Sequence, residues 1–118
     1  MILATLRMSV RPERRGDLLE TIRGMLEPAR VERGCLSYCL YEDIEDRNTF
    51  ILIEKWKTQN DLESHLLTDN QRQILALMDF LSKQPELQFN TVSRTAGIEL
   101  IEAVIKAGNK GTGGEECR

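Results

Sequence analysis

The stretch TFILIEKWK, residues 49–57, constrains the fold more than any other. Read at period two, it sets Phe50, Leu52, Glu54 and Trp56 on one face and Ile51, Ile53 and Lys55 on the other. An antiparallel strand can leave one face to water, but here both faces carry large apolar side chains. Helices of the same chain can cover one face. The simplest cover for the second is another copy of the chain, so the sequence predicts a homodimer with two sheets packed face to face.

The segments around this strand alternate between the two hydrophobic periods. Residues 2–10 place Ile2, Ala4, Leu6, Met8 and Val10 on one face, which predicts a half-buried strand. RPERRGD follows, with Pro12 suited to a helix start. Leu18, Ile22, Met25, Leu26 and Ala29 then recur at helical spacing. Pro28 should kink or thin the last turn, and Gly34 is the natural terminator. CLSYCLYE (35–42) reads as the second strand, joined through the polar turn DIEDRN to the third as an antiparallel hairpin.

Thr58 opens a helix in which Leu62, His65 and Leu66 share a face, with His65 near its start. Thr68 and Gln71 form a capping box for a second short helix, striped by Ile74, Leu77, Met78 and Leu81. QPELQFNTVS (84–93) is the last strand.

That order is the ferredoxin-like β-α-β-β-α-β arrangement, an α+β fold with a four-stranded antiparallel sheet and helices on one face. It occupies 1–95 as one domain, as 118 residues would suggest. AGIELIEAVIKA (96–107) is a C-terminal helical extension that could cover a sheet edge or reach a partner. GNKGTGGEECR (108–118) is expected to be a disordered tail holding Cys117.

Composition excludes several classes of function. The net charge is −3, and the arginines of the first third are interleaved with acids. No basic stripe for nucleic acid results. No apolar run approaches the roughly 18 residues of a membrane span, and MILATLRMSV has neither the leading charge nor the cleavage site of a signal peptide. Cys35 and Cys39, four apart on one strand, share a face about 13 Å apart, too far to bridge. A reduced cytoplasmic protein is the expectation. One histidine and no Cys/His ligand spacing argue against a metal site.

The pattern EPARVERGCLSYCLYED followed by FILIEKWKTQNDLESHLLT resembles the antibiotic-biosynthesis monooxygenase family, which includes bacterial quinol monooxygenases. The resemblance covers residues 1–93. Its most specific parts are GCLSY and the set Glu54, Trp56 and His65 with the intervening LESH. It implies the ferredoxin-like fold and a dimeric α/β barrel. Some members of that family oxidise phenolic polyketides or quinols with O₂ and no metal or flavin. Others cleave haem or isomerise small sugar-like signals.

Two departures narrow these options. Some quinol-oxidising and isomerising members carry a second histidine where this chain has Asn70. The haem-cleaving branch uses a first-strand asparagine, and ILATLRMSV has none, which disfavours haem.

Oxygenation without a cofactor needs an electron-rich substrate once deprotonated, a dry cavity, a base and a stacking surface. The expected catalytic pair is His65 with Glu54 orienting it; an unperturbed histidine titrates near pH 6.5. Trp56, Tyr38, Leu66, Ile74 and Met78 are the expected substrate-binding residues, in a pocket between the helices and the sheet. Each has a plainer reading. His65 can simply tie its helix to the strand end, Trp56 and Tyr38 can be core, and Cys35 and Cys39 can be small buried hydrophobes. The sequence therefore supports a cofactor-independent monooxygenase of a small aromatic or quinol-type substrate. Its alternatives are a non-catalytic small-ligand-binding or stress-related dimer, or an isomerase of a small hydroxy-carbonyl compound.

Overall fold

The computed structural model describes residues 1–108. The expectation for the glycine-rich tail, with Cys117, therefore lies outside the described residues except at Gly108. The chain runs β1 (Ile2–Ser9), a 3-10 turn (Pro12–Arg14), α1 (Arg15–Arg30), β2 (Cys35–Asp43), β3 (Asp46–Trp56), α2 (Gln59–Leu66) and α3 (Asp69–Leu77). A second 3-10 turn (Met78–Phe80), β4 (Glu86–Thr91) and α4 (Ile98–Lys106) follow. The four strands form one antiparallel sheet in the order β2-β3-β1-β4, the ferredoxin-like arrangement.

The alternating residues Ile2, Ala4, Leu6 and Met8 of β1 are buried, and so are Leu18, Ile22, Met25 and Ala29 of α1. Phe50, Leu52, Glu54 and Trp56 of β3 complete the covered face. α1 continues through Pro28 to Arg30. Two threonine caps then fold the segment after β3 into separate short helices. Thr58 accepts from the Asp61 amide and Thr68 from the Gln71 amide, each at 3.1 Å. Because α2 has only eight residues, His65 falls in its last turn rather than near its start.

Two local expectations are corrected. The β2–β3 turn is shorter than DIEDRN: Asp43 already pairs with Asp46, and only Ile44 and Glu45 lie between the strands. The aspartates make this possible by binding the turn's own backbone. Asp43 Oδ1 accepts from the Glu45 amide at 2.8 Å and Asp46 Oδ1 from Asn48 at 3.0 Å. The second correction concerns the cysteines. A register shift between Cys35 and Ser37 sets Cys35 opposite buried Trp56, but Cys39 opposite Ile53 on the other face. One extra residue in a bulge reverses the side-chain alternation, so the two thiols do not share a face and Leu36 is left exposed.

The outer face carries half-buried Ile51 and Ile53 and exposed Tyr41. β4 is shorter than 84–93 and exposed along its length. Every residue of α4 is exposed, including Ile101 and Ile105, so it covers neither face of its own sheet. Among the described residues no helix is long and apolar enough to cross a membrane.

Gly34 closes the α1–β2 loop at φ +80°, and its carbonyl accepts from the Lys57 amide at 2.8 Å. A Cβ there would collide with the side chain of Asp61, which accepts a hydrogen bond from the Thr58 hydroxyl. Gly34→Ala is predicted to lower stability by about 1–2 kcal/mol, read from urea denaturation, through left-handed backbone strain and loss of this cap.

Candidate functional site

The end of β3, the last turn of α2 and the α1–β2 loop converge on one buried cluster. β3 supplies Glu54 and Trp56 on the same face, two residues apart. β2 sets Tyr38 directly opposite Glu54. α2 lowers His65 onto them, and the loop after α1 brings Glu32. Trp56, Tyr38 and His65 are all at most 1% exposed.

The hydrogen bonds run in series. Trp56 Nε1–H donates to Glu54 Oε1 at 3.0 Å. His65 Nδ1 lies 3.0 Å from both carboxylate oxygens of Glu32, so the proton belongs on Nδ1 with Glu32 accepting. His65 Nε2 then faces Glu54 Oε1 at 3.4 Å without closing a hydrogen bond. The imidazole stacks on Trp56 with ring centroids 4.4 Å apart and meets Tyr38 edge-on at 5.7 Å. Both contacts of Glu54 fall on Oε1, which leaves Oε2 available to a ligand.

Burial dominates the electrostatics. It pushes the Glu54 carboxyl above its ordinary value, opposed by the Trp56 hydrogen bond and by His65. It raises Tyr38 strongly, helped by nearby Glu54, so this phenol stays protonated. Burial also raises Cys35. The Tyr38 hydroxyl and the side-chain oxygen of Gln71 are buried without a hydrogen-bond partner among the described residues.

An apolar cavity of about 220 Å³ adjoins the cluster, between the sheet and α3. Leu66, Ile74 and Met78 line it, as the sequence suggested, and among the described residues Glu54 is its only ionisable wall residue. His65, Trp56 and Tyr38 do not reach it; they pack solidly behind Glu54. The carboxylate, rather than the imidazole, is thus the group presented to a ligand. Leu6, Leu87 and Phe89 complete the wall from β1 and β4.

Sequence reasoning missed two members of the site. Glu32 lies 33 residues from His65 and reads as one more acid in a mixed polar loop. Gln71 reads only as a helix cap, yet it lines the cavity. Asn70, at the place of a second histidine in some similar proteins, donates to the Met25 carbonyl at 3.1 Å and ties α3 to α1. Among the described residues no three histidine, cysteine, aspartate or glutamate side chains converge to hold a metal ion.

Comparison with known proteins agrees with this architecture. The family model described as antibiotic biosynthesis monooxygenase matches residues 1–77. A Bacillus subtilis protein named "Putative monooxygenase YcnE" is 32% identical over 65 residues, covering 55% of this chain and 68% of that protein. A Synechocystis protein, "Uncharacterized protein sll1783", is 28% identical over 89 residues, or 75% of this chain. The match spans 60% of the Synechocystis protein's length. The solved structure of Rv0793 from Mycobacterium tuberculosis superposes with a TM-score of 0.75 at 23% identity, covering 81% of this chain and 98% of that one. At that identity the likeness shows the fold alone.

A carboxyl held above its unfolded value stabilises the fold below that value, and the contribution is lost as pH rises through the folded-state pKa. For Glu54 the window opens at its ordinary value of 4.5 and extends upward. Urea melts should show wild type losing stability relative to Glu54→Gln as pH rises from there toward neutrality. Parallel curves would contradict the assignment. Trp56, the only tryptophan, reports the same titration through its emission.

Proposed function

The chain belongs to the antibiotic biosynthesis monooxygenase family, and from that membership we propose that it oxidises a small aromatic or quinol-type substrate with O₂, without a cofactor. The observation that carries the proposal is the carboxylate of Glu54 on the wall of a largely apolar cavity, with Gln71 as its other polar residue among the described residues. A phenol or quinol must lose a proton before it can hand an electron to O₂. A carboxylate whose pKa is raised by burial is a stronger base than one in water, and the apolar walls keep water away from the reduced ring. Glu54 takes that proton. His65 and Trp56 hold the carboxylate in place from behind.

The size of the cavity narrows the substrate. About 220 Å³ is below the roughly 300–1,000 Å³ of sites for drug-sized ligands, so a one-ring quinol fits better than a fused polyketide. Leu66, Ile74 and Met78 supply the contact surface.

The homodimer is part of this proposal. Ile51, Ile53 and Tyr41 on the outer face need cover that the chain's own helices do not give. A second reading, a ligand-binding dimer without chemistry, is favoured by the solid packing of His65, Trp56 and Tyr38 away from the cavity. An isomerase of a small hydroxy-carbonyl compound ranks third, because it needs an acid as well as a base and the cavity wall offers one ionisable group.

Oxygen uptake by metal-stripped protein, assayed on a panel of one-ring quinols and anthrone-type phenols, tests the proposal. Catalytic uptake is expected, with kcat about 10²-fold lower in Glu54→Gln. Ile74→Trp, which fills the cavity, should raise KM. A folded, dimeric protein with no uptake above background on any of these compounds would move the reading to the binding dimer.

A further inference from the structure

The buried cluster touches two different spaces. On one side Glu54 lines the apolar cavity. On the other side Glu32 lines an open, polar basin of about 700 Å³, walled by Arg33, Lys57, Asn60 and Ser64 among others. Only His65 separates the two carboxylates. Its Nδ1 is 3.0 Å from Glu32 and its Nε2 is 3.4 Å from Glu54. The side chain of Glu32 is 20% exposed, while that of His65 is 0% and that of Glu54 7%. The three groups therefore form a continuous path from solvent, through a buried ring, to the cavity wall.

We propose that Glu32, His65 and Glu54 form a proton relay that connects the cavity to solvent through the basin, with Glu32 as its outer port. The inference rests on the reading of Glu54 as the base. It extends that reading by assigning a function to a loop residue that never touches the substrate.

The need for such a path follows from the cavity itself. A base in an apolar cavity works once and then holds a proton it cannot give to water directly. In the relay the substrate O–H proton passes to Glu54 Oε2, and rotation of the carboxyl turns it toward His65. Glu54 passes a proton to His65 Nε2 while His65 Nδ1–H passes one to Glu32, and Glu32 releases one to the basin. One proton leaves the substrate, one reaches solvent and no electrons move; the ring is left with its proton on Nε2, and a reorientation of the ring that restores the Nδ1–H form completes the cycle. The transfer at Nε2 requires the 3.4 Å gap to close by about 0.5 Å to hydrogen-bond range, an adjustment usual between free and occupied sites.

The surroundings of the imidazole suit this role. Trp56 stacks on its face and Tyr38 lies at its edge with a phenol that burial keeps protonated. The Cys35 thiol lies near both carboxylates and is likewise pushed toward its protonated form by burial. Arg30 is engaged by Glu27 and by the Tyr38 carbonyl. The two carboxylates are therefore the groups placed to exchange protons with the ring. Glu32 is a positioning and relaying residue, and the substrate is met by Glu54.

Glu32→Gln keeps an acceptor for Nδ1–H but cannot take up a proton. The relay predicts a fall in kcat of about tenfold or more with KM within about twofold. It further predicts that added formate or imidazole, small carriers that the open basin admits, restores the rate. Loss of rate without rescue, or a wild-type rate at every buffer concentration, would overturn the relay. Should Glu32→Gln fail to fold, Glu32→Asp carries the same test, since it retains the charge but withdraws it by one methylene.

A second readout needs no turnover. In ¹⁵N-histidine protein, NMR at a single pH should place the His65 proton on Nδ1, and Glu32→Gln should move the Nδ1 resonance while Glu54→Gln moves Nε2. A ring proton on Nε2 in the wild type, or nitrogens that answer to neither variant, would overturn the relay even in an active enzyme. The expected ring response in a protein that oxidises nothing would keep the relay and refute the oxygenase reading.

Discussion

Glu54 lies on the helix-covered face of β3 between Leu52 and Trp56, where an unpartnered carboxylate would cost several kcal/mol. The surrounding structure offsets that cost in steps. The indole N–H two residues along the strand donates to Oε1, and an imidazole from α2 stands 3.4 Å away. The imidazole is fixed in turn by Glu32 from the α1–β2 loop. Each partner requires a particular piece of backbone. Trp56 must share a strand face with Glu54, α2 must be capped at Thr58 and end after two turns, and the loop must turn back at Gly34. A defect in any of these leaves a buried charge exposed to its apolar neighbours.

The same arrangement produces the site's asymmetry. The aromatic and imidazole rings pack solidly on one side of Glu54, and the aliphatic wall from α3 and β4 stays open on the other. A polar cluster and an apolar cavity therefore meet at a single carboxylate. In the proposed chemistry this division separates the group that meets a ligand from the groups that control its proton. It accounts for a family member in which the sole histidine lies behind the cavity wall. Asn70 does structural work in binding the Met25 carbonyl, so the chemistry assigned here depends on one imidazole.

The fold was legible wherever one face is buried and the other is not. The alternation of β1, the stripe of α1 and the paired apolar faces of β3 each identify an element and its inward side, and their order gives the sheet. The trio Glu54, Trp56 and His65 was legible because a strand and the helix after it are close in sequence. What escaped depended on single-residue register or on long-range contact. The bulge beside Leu36 adds one residue to β2 and reverses the faces of Cys35 and Cys39, a change that no periodicity reveals. Glu32 meets His65 across 33 residues, and its identity as a loop acid gives no sign of a partner. That Glu54 rather than His65 lines the cavity also escaped, because it depends on which side of the cluster α3 leaves open.

The most direct test of this account is an infrared difference spectrum taken as a redox-inert phenol, closely shaped to a one-ring quinol, binds to the protein without O₂. If Glu54 is the buried base on the cavity wall, binding perturbs a carboxyl C=O band that is missing from the same difference spectrum of Glu54→Gln. A phenol that binds the wild-type protein without disturbing any glutamate carboxyl, or that gives the same carboxyl band in Glu54→Gln, would contradict it.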